Sequence, residues 1–440
     1  MKKQKVILWI LGTLLAGLIM LGCNNTVPPG KNEAATESPP GLGKVAYIQS
    51  GNLWVKELPD GTAKQLTTDG AALGPRWSKS GKWLLFQKNN QLWLTGSDGT
   101  DCRAIGEVAG FTWSTAEDVF YYGSPKNGLV SVHPETSQSK ILIKPSAGDN
   151  FGRMLNSPDG RYIAFERSSA KQPAAESGGI WKLDITSGNV VNLFKGQAAT
   201  EKSMGVLPHL AGWSSDGKTI YLWIGSQSAS LTADGVAFTA IDAETGKNLS
   251  AYNRETGSLV HKNWFVPGPD PDIAFLIIGY GRETWTDKQL ALLNLKTKEV
   301  KVISAKGQAV ASFDISLSGE NLAFSAGPDE KEMYNGDTED YSAKSRKVMM
   351  QRHIWAANID GGPLKQLTND NDYRDEYPVW SAKDDYILFG RIDKQDKASL
   401  WLMKADGSNP RQVVTELSPF DWFGFYGYVD LKQLFDYWRG

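Results

Sequence analysis

An all-β fold of repeated units set in a ring, a β-propeller, is what this 440-residue sequence predicts. Three observations predict it. A motif of about ten residues recurs along the chain after residue 43 and ends each time in an apolar run. Short β-branched and aromatic runs are bounded by Asp-Gly and Ser-Gly pairs, the chemistry of tight turns between strands. No stretch keeps a 3.6-residue apolar period beyond two turns, apart from Leu431 to Trp438.

The sharp copies of the motif are WSKSGKWLLF from Trp77, NSPDGRYIAF from Asn156, WSSDGKTIYLW from Trp213 and WSAKDDYILF from Trp380. Weaker copies start at Trp113, Asp314 and Gly268. The strand after each motif turn begins at Val45, Trp83, Val119, Tyr162, Thr219, Ile273, Asn321 and Tyr386, which makes eight blades. Seven is the alternative if the weak copy near Ile273 merges with a neighbour. A second apolar run follows, as in Leu92-Trp93-Leu94 and Leu400-Trp401-Leu402-Met403. One such sheet cannot bury both of its faces, whereas radial stacking buries them and leaves only short edges. The motif Trp is expected to pack between neighbouring sheets. The copy from Val45 lacks a preceding Trp-Ser strand, so Ser418 to Trp422 is expected to return, complete that blade and close the ring.

The repeat Asp residues have a local role to fill. Asp caps the turn with its side chain while Gly takes the positive φ. Gly212-Trp213-Ser214-Ser215-Asp216 fails the G-x-S-x-G pattern of a nucleophile elbow at its last position and lies in a repeat turn, not at a strand-to-helix junction.

At the N-terminus, Lys2, Lys3 and Lys5 precede an uncharged stretch from Val6 to Met20. That is signal-peptide length. Met20-Leu21-Gly22-Cys23 resembles the bacterial lipobox, departing from it in having Met20 where Leu is usual. The resemblance implies a signal peptide over 1–22 and a lipid on Cys23. The polar, Pro- and Gly-containing composition of the residues that follow makes 23–42 a flexible tether, and the repeats make 43–440 the propeller. An uncleaved anchor helix is the alternative, and either places the rest of the chain outside the cytoplasmic membrane. The anchored membrane would be the outer one if the host is Gram-negative.

The net charge of −2 excludes the basic face that a nucleic-acid binder needs. Two Cys, one of them Cys23, leave Cys102 without a disulfide partner, and it is expected to be small and buried. The pattern W-S-x-D-G-K-x-I-A-F followed by Q-L-T is carried by Ser157 to Arg161, Ser214 to Lys218, Gln65-Leu66-Thr67 and Gln366-Leu367-Thr368. It is similar to the PD40 repeats of the TolB-like propellers. That resemblance implies a fold rather than one function, since such propellers include partner-binding periplasmic proteins, the non-catalytic domains of prolyl-oligopeptidase-type peptidases and some carbohydrate lyases. The chain as read has no room after Tyr428 for a hydrolase domain, so a peptidase is not expected.

His133, His209, His261 and His353 show no metal-ligand spacing and are expected to be isolated surface or channel-mouth residues. Asn369 to Glu376 is the densest run of oxygen ligands but lacks the EF-hand Gly and closing Glu, so it is expected to be a solvated acidic loop. Ca2+ is the alternative reading, and no other cofactor is implied. The insertion from Gly327 to Gln351 carries acidic residues including Asp337, Glu339 and Asp340, then Arg346, Lys347, Met349 and Met350. Polarised charge with exposed Met suits a partner-contacting arm, and disorder is the competing reading. The aromatic-rich stretch from Phe420 to Trp438 is expected to seal the ring, with Phe420 and Trp422 in a closing strand and Leu431, Leu434, Phe435 and Trp438 as one face of a short helix; a carbohydrate-stacking platform is the alternative.

Together these readings predict a membrane-tethered propeller that binds an envelope protein or glycan without catalysis. The alternative is a carbohydrate-active enzyme, lyase or glycosidase, working at the central channel.

Overall fold

A computed structural model describes residues 41–169, 178–249, 255–256, 264–330, 338–419 and 425–440. Among them the chain forms eight four-stranded antiparallel sheets arranged as a β-propeller, so eight blades is the count. Blade 1 contains Lys44–Gln49, and the numbering follows the chain round the ring. The second strands of the blades begin at Lys44, Trp83, Phe120, Tyr162, Thr219, Ile273, Asn321 and Tyr386. These lie within one residue of the eight starts read from the sequence, and the copy at Ile273 is a blade of its own.

Buried apolar side chains bridge consecutive blades the whole way round. Leu85 and Val130 join blades 2 and 3, Leu129 and Ile163 join 3 and 4, and Ala164 and Leu222 join 4 and 5. Phe238, Phe275 and Phe324 continue through blades 5, 6 and 7. Ile354 and Phe389 join 7 and 8, and Leu400 meets Ile48 where blade 8 returns to blade 1. Each blade therefore buries its faces only through its neighbours.

The motif turn works as its residues dictate. In blade 4 the Ser157 hydroxyl accepts the Tyr162 amide (2.8 Å) and donates to Asp159 (2.6 Å), whose carboxylate also accepts the Arg161 amide (3.1 Å). Gly160 takes φ +77°, where a Cβ would be strained. Ser214, Asp216 and Lys218 repeat the arrangement in blade 5. The motif Trp staples blades as well as packing: the indoles of Trp77, Trp113 and Trp213 donate to the carbonyls of Asp436, Arg76 and Leu155, each on the innermost strand of the preceding blade.

A C-terminal strand closes the ring, but it is Phe435–Trp438 rather than Ser418 to Trp422. It pairs antiparallel with Lys44–Gln49, placing Tyr437 opposite Val45. Ser418 braces the turn of that blade instead: its amide donates to Ile48 (2.8 Å) and its hydroxyl accepts from Gly51 (2.8 Å). Phe420 and Trp422 lie outside the described residues. The expected helix shrinks to a 3-10 turn, Leu431–Gln433, that runs into the closing strand. Phe435 and Tyr437 alternate inward, and the unpaired edge of blade 1 offers backbone bonds that a short terminal helix could not match. Cys102 is also a correction: it is exposed, in the turn before the last strand of blade 2.

Candidate functional site: the central channel

The innermost strands enclose a cavity of about 1060 Å³. Its wall comes from Ala72–Trp77, Gly110–Trp113, Asp149–Asn156, Leu207–Trp213 and Phe265–Pro267, together with the C-terminal segment Tyr428 to Arg439. That segment descends past blades 6 to 8. The Tyr377 hydroxyl donates to Val429 (2.6 Å), the Thr284 amide to Tyr426 (3.1 Å) and the Ile48 amide to Leu434 (2.8 Å). Half-buried Phe111, Tyr428 and Trp438 supply aromatic surface.

Five cations line the cavity: Lys79 donates to the Ala116 carbonyl (3.1 Å) and Arg439 pairs with Asp314 (2.7 Å), and the other three, Arg76, Arg153 and Lys432, are less simply matched. Arg76 donates through Nη1 to the carbonyls of Pro75 (2.6 Å) and Lys432 (2.8 Å). Burial pushes the Arg153 guanidinium down to about 10, with Arg76 acting the same way and Glu166 against it. Burial within the ring and then repulsion from Arg76 lower Lys432, although its side chain is open to channel solvent. The sequence reading missed all three, because it began each repeat at the motif Trp. Arg76, a charge one residue upstream of Trp77 on a strand that must face the axis, was the available signal.

A second polar cluster fills blades 7 and 8. Arg352 donates to Glu376 (2.7 Å) and Thr284 (2.7 Å), and Arg391 grips Asp375 with two bonds. Asp375 and Glu376 are thus buried on an innermost strand, Tyr373–Trp380, which corrects the solvated-loop expectation for that end of the run. Asn369 to Asp372 are exposed. Among the described residues no group of three or more His, Cys, Asp or Glu is placed to hold a metal.

The insertion is partly a docked helix, Thr338–Met349 (α1). Met349 is 1 % exposed and packs with Trp285 and Val348, so the expectation of exposed methionines fails there; Met350 is half-buried. Arg346 pairs with Asp396 and Lys347 is exposed. Glu339 and Asp340 belong to the helix, while Asp337 lies outside the described residues. His133 is exposed, and His209 approaches Glu166 (3.8 Å) on the innermost strand of blade 5. His353 is buried, which lowers its pKa, and so is not the surface residue expected. His261 and Cys23 lie outside the described residues.

No family model matches the chain, and no curated protein matches its sequence. Solved structures do. A dipeptidyl aminopeptidase IV-type protein from Bacteroides ovatus aligns at TM-score 0.51 and 13% identity over 88% of this chain and 60% of that one. An oligogalacturonate lyase from Vibrio parahaemolyticus aligns at 0.49 and 14% over 82% of this chain and 97% of that one. TolB from Acinetobacter baumannii aligns at 0.37 and 13% over 87% of this chain and 66% of that one. At these identities the likeness is one of fold, and the fold is a β-propeller.

Proposed function

We propose that this protein is an extracytoplasmic propeller, tethered to a membrane through lipid on Cys23, that binds a protein or glycan partner without catalysing its conversion. The observation that carries the binding reading is the channel: a large concave cavity with polar groups and aromatic surface is the form that ligand sites take. The carboxylates on its wall are already engaged, Asp436 by the Trp77 amide (2.9 Å) and Asp430 by Gln433 (3.2 Å), which supports holding a ligand over acid–base chemistry. The docked helix α1, with exposed Lys347 and half-buried Arg346, supports a partner surface there.

Labelling cells with an alkyne fatty acid tests the tether: label on the wild type and none on Cys23→Ser is expected, and label persisting in the variant refutes it. Ligands captured with the full chain should be recovered intact. Shortened or unsaturated glycan products would replace binding with a carbohydrate-active enzyme.

A further inference from the structure

Of the five channel cations, Arg76, Arg153 and Lys432 are costly where they stand. Arg153 Nη1 is buried and has no hydrogen-bond partner among the described residues. Arg76 is close enough to both Arg153 and Lys432 to disfavour their charged forms. The carboxylates nearby are committed to other groups. Asp314 takes Arg439 (2.7 Å) and the Trp380 amide (3.0 Å), and Asp436 takes the Trp77 amide (2.9 Å). Glu166 takes the amides of Leu210 (2.8 Å) and Arg153 (3.3 Å), and Asp430 accepts from Gln433 (3.2 Å). Like charges gathered in a partly desolvated space oppose folding; Glu166 acts against this at Arg153, and Asp314, Asp436 and Asp430 at Lys432, yet the net effect still disfavours both charged forms. An arriving anion would complete charge-assisted bonds that the apo protein leaves unmade.

We infer that Arg76, Arg153 and Lys432 are the recognition site for an acidic glycan lying in the channel, its carboxylate or phosphate groups on the cations and its sugar rings along Phe111, Tyr428 and Trp438. The cavity volume of about 1060 Å³ is at the upper end of ordinary ligand pockets, so an oligomer fits better than a single sugar. This rests on reading the channel as the binding site.

The test is calorimetric titration of the full chain in detergent micelles with three probes of equal length: a uronic-acid trisaccharide, a glycerol-phosphate trimer and neutral maltotriose. Binding of either acidic probe, weakened by added salt, with maltotriose silent, is the expected result, and the one that binds tells carboxylate from phosphate. Arg153→Gln and Lys432→Gln should each weaken that binding about tenfold or more while leaving the melting temperature unchanged or higher. Equal binding of maltotriose, no binding of either acidic probe, or variants that melt earlier with affinity intact would overturn the inference. The titration needs neither the lipid nor a captured partner, so its failure is distinguishable from failure of the tether or of the partner surface.

Discussion

Arg391 closes on Asp375 through two parallel hydrogen bonds, Nε to Oδ1 at 2.7 Å and Nη2 to Oδ2 at 2.9 Å, within a wall made by Tyr373, Phe389 and Trp401. Asp375 is fully buried and Arg391 nearly so. Such a pair contributes little net stability, but breaking it strands a charge. Asp375→Asn is therefore expected to cost about 3–5 kcal/mol in denaturant unfolding, while the double replacement Asp375→Leu with Arg391→Met costs far less. Near-equal costs for the single and double variants would refute this.

The helix α1 offers a contrast between packing and surface charge. Met349→Ala removes a side chain buried against Trp285 and should cost about 2–5 kcal/mol, opening the helix to protease. Arg346→Ala removes a half-exposed ion pair with Asp396 and should change stability by under about 1 kcal/mol. Limited proteolysis beside a melting curve separates the two.

The turn carboxylates set the acid limb of stability. Hydrogen bonding from Ser157 holds Asp159 below its ordinary 3.8, and bonding from Thr245 does the same for Asp242. A carboxylate depressed in the folded state stabilises above its unfolded value, and that contribution is lost as pH falls through the folded one. Asp159→Asn with Asp242→Asn should flatten the fall in melting temperature below about pH 4. A parallel fall in wild type and variant would rule these groups out.

Lys288 sets a basic limb. Its ammonium is buried, donates to the carbonyls of Tyr280 (2.8 Å) and Thr286 (3.1 Å), and is pushed down to about 8 by burial, against the pull of Asp287, Glu283 and Asp329. The unfolded chain holds this proton more tightly, so the contribution of Lys288 to stability rises as pH climbs from about 8 towards 10.5. Wild type should gain melting temperature relative to Lys288→Met over that window. No relative gain would place the lysine in solvent.

Closure depends on the last strand. Deleting residues 435–440 removes the inner one of the two strands paired with Lys44–Gln49 and exposes an edge, so cooperative unfolding should give way to aggregation. Trp77→Phe, which loses only the indole bond to Asp436, should cost about 1 kcal/mol. A truncated chain that still melts cooperatively at the wild-type temperature would show that the ring does not need its clasp.

How much was legible varies with range. The eight strand starts follow from turn chemistry that acts over six residues, from Ser157 to Tyr162 for example, and local rules reach that far. The run Asn369 to Glu376 was misread because Asp375 and Glu376 are buried only by virtue of Arg391 and Arg352, residues that no local pattern ties to them. Phe435 to Trp438 was misread because four residues satisfy a helical face and a strand alternation equally well.

By itself the sequence determined the repeat, the turns and the all-β class, because each rests on backbone preferences and a two-residue period set by near neighbours, while the choice of eight blades over seven needed the sheet pairing at Ile273–Ile278. Only the tertiary structure decided which strand clasps the ring, which charges are buried, and that Arg76, Arg153 and Lys432 meet in one channel. Ring closure brings blades 1, 2 and 4 to a common axis, and the energy of like charges depends on that distance in space rather than on separation along the chain.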